Sequence, residues 1–133
     1  MPSPAPEDDP GAHQAVLAAN EAFYRAFEAR DLQAMAQVWE RSERATCTHP
    51  GWRRLQGWPL VMESWRRLFE GPQRLQFVLT DVSVVRVADL AIVHLDENLL
   101  DDAATGTVAA LNVFVSSDDG WRMLAHHGSP VAR

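Results

Sequence analysis

Apolar residues recur at helical spacing in the first half of the chain. This pattern predicts a first helix over residues 12–29. A short second helix is predicted to follow from an N-cap at Asp31 through Val38 and Trp39, because the Asp31 carboxylate can accept a hydrogen bond from a free first-turn amide. The apolar face of the first helix consists of Val16, Ala19, Phe23, Ala26 and Phe27.

A third helix is predicted to begin near Pro59, because the first turn tolerates a residue without an N–H. Gly71 and Pro72 are predicted to end it. Residues 45–48, just before this helix, are compatible with a short strand. The apolar residues of the third helix are Val61, Met62, Trp65, Leu68 and Phe69.

Four strand-like runs occupy the second half of the chain, at about residues 74–87, 90–100, 107–117 and 120–127. Short turn sequences separate them, and Asp119-Gly120 is a strong hairpin signal because glycine suits turn positions with positive φ. Short connections make neighbouring strands antiparallel. Helices followed by such a meander predict an α+β domain whose N-terminal helices pack on one face of the sheet.

Alternation along the strands predicts which residues face the helices. In the second run, Glu97 shares the apolar side with Val93, Leu95 and Leu99, so it is predicted to point inward. In the third run both sides are largely apolar, and the alternation leaves the orientation of Asn112 open.

In the fourth run, alternate residues share one face of the strand, and these are Trp121, Met123, Ala125 and His127. We predict that His127 points inward and that His126 lies on the outer face. That outer face remains unusually apolar for a solvated sheet, which predicts contact with a second subunit in a homodimer. The residues predicted at this interface are Leu111, Val113, Val115 and Leu124.

Composition narrows the class of protein. The chain has 133 residues and a net charge of -6, which disfavours nonspecific binding to nucleic acid or to an anionic membrane. Cys47 is the single cysteine, so an intrachain disulfide is excluded. Residues 1–10 are polar and proline-rich and are predicted to be a disordered tail before one domain at 11–133. Without a signal-like segment, a cytoplasmic location is the default expectation.

Several motifs resemble the SnoaL-like branch of the nuclear transport factor 2-like superfamily over about residues 12–131. They are Thr48-His49-Pro50-Gly51-Trp52, Ser64-Trp65-Arg66, Asn112-Val113-Phe114-Val115 and the segment from Gly120-Trp121-Arg122 to Ser129-Pro130. The resemblance implies a cystatin-like cone, in which a strongly bent antiparallel sheet wraps the helices and leaves a pocket at its open end. It also implies homodimers through the convex sheet face. The superfamily contains isomerases, dehydratases, cyclases, dimerisation modules and transport factors, so the fold leaves the function open.

Three residues are candidates for chemistry in such a cone. Glu97 or His127 would be the acid or base, because burial in an apolar site disfavours the charged form, and Asn112 would donate a hydrogen bond to a developing oxyanion. The candidate ligand-binding residues are His49, Trp52, Trp39 and Trp65. The steroid isomerases of this superfamily use an Asp base with a Tyr and an Asp at the oxyanion. Here Tyr24 is the only tyrosine, and that trio cannot be mapped onto the chain.

Structural roles are the alternatives for the same residues. Glu97 and His127 can form a bridge that only satisfies buried polar groups, and His49 can hold its turn. Trp39 and Trp65 can belong to the core. We expect neither a metal nor a cofactor. The sequence and the resemblance therefore predict a protein that binds an unknown small organic molecule in a cone-shaped pocket. An enzyme of the isomerase, lyase or hydrolase type, acting by general acid/base chemistry, is the catalytic form of this prediction. The alternative is a dimerisation or protein-interaction module whose cone is filled by its own side chains.

Overall fold

Three helices pack against a curved sheet, which is the α+β arrangement that the sequence predicted. A computed structural model describes residues 10–100 and 105–132. Helix α1 spans Pro10–Ala29, α2 spans Leu32–Val38 and α3 spans Trp58–Glu70. Residues 1–9 of the predicted tail lie outside the described residues, and Pro10 is the first residue of α1.

The signals that end and begin the helices act as expected. The Asp31 side chain accepts a hydrogen bond from the Ala34 amide at 3.0 Å, which confirms it as the N-cap of α2. Trp39 is extended and so ends α2 one residue earlier than predicted. Pro59 lies in the first turn of α3, and the helix stops at Gly71.

Within the described ranges, six strands form one sheet in the order β2-β1-β6-β5-β4-β3. The short strands β1 and β2 span Thr46–Thr48 and Leu55–Gln56. The meander consists of β3 at Gln76–Val87, β4 at Leu90–Leu100, β5 at Thr105–Ser117 and β6 at Gly120–Pro130, and each of these strands runs antiparallel to the next one in the meander. Strand β1 pairs with β6 in parallel, which brings the segment after β1 beside the end of the last strand.

The core fills the concave side of the sheet. Its largest fully buried side chains come from every helix and from the inner sheet face, which buries the apolar stripe of each element against the others. They include Phe23, Met35, Trp39, Trp65, Phe114 and Met123. Ala110, Asn112 and Phe114 point inward from β5, which settles the orientation that the alternation had left open.

A β-bulge in β6 makes one orientation prediction wrong. Ala125 pairs with Val113 and Met123 pairs with Phe114, so Leu124 is an extra residue in the ladder. The alternation therefore reverses between Met123 and His126. His126 is 2% exposed and points inward, whereas His127 is exposed on the outer face. The pairing predicted for Glu97 and His127 is excluded by this reversal.

The predicted interface residues are partly covered within a single chain. Leu111, Val113 and Leu124 are half-buried, and Val115 is buried. No helix in the described part of the chain is both long enough and apolar enough to cross a bilayer.

Candidate functional site

A cavity of about 560 Å³ lies between the helices and the inner face of the sheet. Its volume is within the range of small-molecule sites, about 300–1,000 Å³. Most of the wall is apolar, and the aromatic part consists of Phe27, Trp52, Phe69 and Phe77. Four side chains that carry or can carry a charge interrupt this wall: Arg30, His49, Glu97 and His126.

Glu97 is the carboxyl group of the cavity. Strand β4 carries it inward beside Leu95, as predicted, and it is 3% exposed. Burial raises the pKa of Glu97 to about 7, and a hydrogen bond from Tyr24 opposes part of that rise. The Tyr24 hydroxyl donates to Oε2 of Glu97 at 2.5 Å. Glu97 is therefore poised between its acid and carboxylate forms at neutral pH.

Hydrogen bonds continue from Tyr24 to β5 and β6. The Nδ2 group of Asn112 donates to Oδ1 of Asn20 at 2.8 Å and to the Tyr24 hydroxyl at 3.2 Å. The Oδ1 atom of Asn112 then faces Nδ1 of His126 at 2.6 Å. Because an amide oxygen only accepts, the hydrogen of His126 is on Nδ1.

His126 is held neutral. Burial, together with the neighbouring His49 and His127, lowers the pKa of His126 to about 3. With its hydrogen on Nδ1, the ring has an unprotonated Nε2 at the opposite edge. His126 also lines the cavity, so it is a functional candidate that the sequence prediction missed because of the bulge.

His49 follows β1 and contacts α3. Ser64 donates its hydroxyl hydrogen to the Val61 carbonyl at 2.6 Å, so its Oγ accepts from Nε2 of His49 at 2.9 Å. Burial lowers the pKa of His49 to about 4, which leaves a neutral ring with an unprotonated Nδ1. The ring packs edge-on against Trp52 and Trp65 at centroid distances of 4.8 and 4.7 Å.

The other predicted site residues separate into two groups. Trp52 lines the cavity and is 38% exposed, whereas Trp39 and Trp65 are core residues with at most 1% exposure that do not line it. Asn112 is fully buried behind the cavity, and both of its donor contacts are to Asn20 and Tyr24. The prediction of Asn112 as an oxyanion donor therefore does not match its surroundings.

Tyr24 joins Glu97 in a hydrogen-bonded cluster that the sequence did not predict. It is 3% exposed, and the face of α1 that carries it turns toward the sheet. Asn20 lies one helical turn earlier on the same face, and both side chains contact Asn112. In the sequence, the only sign of this cluster is that two polar residues lie four positions apart beside the apolar face of the first helix.

Cys47 and His49 are neighbouring side chains of types that can bind a metal ion. The Cys47 Sγ atom lies 3.7 Å from Nε2 and 3.9 Å from Nδ1 of His49, and burial raises the pKa of the Cys47 thiol. Among residues 10–100 and 105–132, no group of three His, Cys, Asp or Glu side chains is arranged to hold a metal ion.

Similar proteins support the fold and the family. A family model described as a SnoaL-like domain matches residues 16–133. A structure from Streptomyces avermitilis, provisionally named a dehydratase of the nuclear transport factor 2-like family, is 33% identical, with a TM-score of 0.86 and coverage of 94% of this chain and 100% of that one.

A structure from Thiobacillus denitrificans, provisionally named a calcium/calmodulin-dependent protein kinase type II association domain, is 39% identical. Its TM-score is 0.81, and the match covers 87% of this chain and 94% of that one.

The Arabidopsis thaliana F-box protein SKIP8 is 30% identical over 116 residues, which are 87% of this chain but 49% of that protein. The chain thus spans about half the length of this curated relative. The match over residues 16–133 shows that the chain belongs to the SnoaL-like domain family.

Proposed function

We propose that the protein binds a small, largely apolar organic compound in the cavity and that Glu97 exchanges a proton with it. The reaction would be of the isomerase, lyase or hydrolase type, with general acid/base catalysis. The observation that carries this proposal is a carboxyl group with a pKa of about 7 on the wall of a cavity of about 560 Å³. Such a group can both take and give a proton at neutral pH.

The two histidines would orient the compound. Each is neutral and has one unprotonated ring nitrogen, Nε2 in His126 and Nδ1 in His49. An unprotonated nitrogen accepts a hydrogen bond, so the site favours a compound with a hydroxyl group. Asn112 acts as a positioning residue, because its Oδ1 holds the hydrogen of His126 on Nδ1.

Dehydration is the reaction class that needs the fewest catalytic groups, because Glu97 alone would carry out both proton transfers. The Glu97 carboxylate would take a proton from a carbon, and the C–O bond to a hydroxyl on the neighbouring carbon would break as a C=C bond forms. Glu97 would then return the proton to the departing hydroxyl, which leaves as water. The name of the Streptomyces avermitilis relative, a dehydratase at 33% identity, supports this choice.

The test is a search for the compound followed by a charge-neutral variant. Mass spectrometry of the purified protein and a thermal-shift library would identify compounds that bind. Glu97→Gln keeps the shape of the side chain and should reduce turnover by about 100-fold or more. Asp96→Asn is the matched control, because Asp96 is the neighbouring carboxylate on the opposite face of β4. Full turnover in Glu97→Gln would reject the catalytic role.

A protein-interaction module is the second candidate function. The relative named a kinase association domain, at 39% identity, favours it. We propose that the chain forms a homodimer through the convex sheet face, where Leu111, Val113 and Leu124 are only half-buried. If the purified protein and the library yield no bound compound while the dimer is intact, this second function is the better account.

A further inference from the structure

Arg30 has an unusual backbone conformation at the end of α1. Its φ is +53°, in the left-handed region that glycine normally occupies. The Arg30 amide donates to the Phe27 carbonyl at 3.1 Å and the Asp31 amide donates to the Ala26 carbonyl at 3.0 Å, which is the hydrogen-bond pattern of a Schellman helix end. A side chain at this position carries a conformational cost that a glycine would avoid.

The Arg30 side chain extends from this helix end to the cavity. Its Nη1 donates to the Gly71 carbonyl at 2.7 Å, with a longer contact of 3.5 Å to the Gln73 carbonyl. These contacts connect the end of α1 to the segment between α3 and β3 and hold the guanidinium on the cavity wall. The position of the charge is therefore fixed by two neutral carbonyl groups.

No carboxylate neutralises Arg30 within residues 10–100 and 105–132. Arg44 and Arg66, by contrast, form ion pairs with glutamates three or four positions away in the sequence. Within the same ranges, the Nε and Nη2 groups of Arg30 donate to no protein acceptor. A guanidinium with free donors matches the geometry of a carboxylate, which can accept two parallel hydrogen bonds.

Arg30 and Tyr24, the hydrogen-bond partner of Glu97, lie at different positions along α1. Arg30 follows Tyr24 by six residues, directly after the last helical residue, so their backbone positions are about 9 Å apart along the helix axis. Phe27 lies between them on the same helix and lines the cavity, and Phe77 packs against it at a centroid distance of 4.8 Å. The cavity thus has a cationic region, an aromatic middle and a region with hydrogen-bonding and titratable groups.

We infer that the cavity takes a small aromatic or alicyclic carboxylate, with its carboxylate at Arg30 and a hydroxyl near Glu97 and His126. This inference rests on the proposed function and adds the charge and the polarity of the compound. The ring of the compound would pack against Phe27 and Phe77. Arg30 is then a specificity-determining residue, and the same cavity would bind the uncharged amide of the same acid more weakly.

The test compares an acid with its own amide. Isothermal titration calorimetry at about pH 7.5 would use para-hydroxyphenylbutanoate and para-hydroxyphenylbutanamide, which differ in charge but hardly in shape. The acid should bind the unmodified protein at least about tenfold more tightly. Arg30→Gln should reduce that preference to less than about twofold, mainly by weakening the binding of the acid.

Two further variants keep the test decisive. Arg30→Gly suits the left-handed conformation, so it should fold and should lose the preference in the same way. Arg25→Gln removes a cation from the same helix, and it should keep the preference because Arg25 is exposed and pairs with Glu21. Equal affinity for acid and amide, no binding of the acid at millimolar concentration, or a preserved preference in both Arg30 variants would overturn the inference.

The outcomes also separate this inference from the proposed function. If acid and amide bind equally and Glu97→Gln weakens both, the cavity is a binding site but Arg30 does not select an anion. If neither probe binds and the library of the preceding experiment yields no compound, both proposals fail.

Discussion

Replacing Glu97 with Gln should change how the stability of the protein depends on pH. The pKa of Glu97 is raised from an ordinary value of 4.5 to about 7 by burial. Between these values the unfolded chain releases the proton while the folded chain keeps it. The folded protein therefore binds the Glu97 proton more tightly than the unfolded chain does. The stability that this tighter binding provides is fully present below about pH 4.5 and is lost as the pH rises through 7.

The size of the effect follows from the two pKa values. One tenfold step in proton affinity is worth about 1.4 kcal/mol, so the change from 4.5 to about 7 corresponds to about 3 kcal/mol for this buried group. A glutamine cannot ionise, and its amide oxygen can still accept the hydrogen bond from Tyr24. The Gln variant should therefore gain about 3 kcal/mol relative to the unmodified protein between about pH 4.5 and pH 8.

Urea denaturation followed by circular dichroism at several pH values measures this difference. Asp96→Asn again serves as the control, since it removes a carboxylate that lies outside the cavity. The reasoning is refuted if the difference between the Gln variant and the unmodified protein stays constant with pH, or if the variant loses relative stability toward pH 8. Either result would mean that Glu97 is solvated or paired in the folded protein.

Three other predictions address the remaining features. His126→Gln should reduce the loss of stability at acid pH, because the pKa of His126 is lowered to about 3 and the unfolded chain binds its proton from about pH 6.5 downward; urea titrations at about pH 4.5 and pH 7 measure the difference. Val113→Asp should convert the proposed dimer to monomer by placing an unpaired charge in the interface, and an unchanged mass in light scattering would remove Val113 from it. Cys47 should resist iodoacetamide at about pH 8 until the protein unfolds, since its side chain is fully buried and burial raises its thiol pKa; rapid labelling of the native protein, followed by mass spectrometry, would contradict this.

The local pattern of the sequence was sufficient for the three helices, for the four meander strands and for the inward position of Glu97. The helical spacing, the Asp31 N-cap and the stop at Gly71 correctly predicted the three helices, because these signals act within a few residues of one another. The inward position of Glu97 followed from alternation along β4, whose pairing with β5 is regular from Leu90 to Leu100. The motifs around His49 and in the last strand correctly indicated the family.

Tertiary structure decided which histidine and which partner complete the site. Alternation predicts side-chain direction only along an uninterrupted ladder, and the extra residue Leu124 reverses it, so His126 replaces His127 inside the cone. The bulge arises from how β6 pairs with β5, which is a relation between segments that the sequence of one strand does not contain. In the same way, Tyr24 reaches Glu97 across 73 positions of sequence because α1 packs against the concave face of the sheet. Local chemistry thus determined the helices, the meander strands and the inward position of the Glu97 carboxyl group. The packing of distant segments determined the hydrogen-bonded cluster around that group.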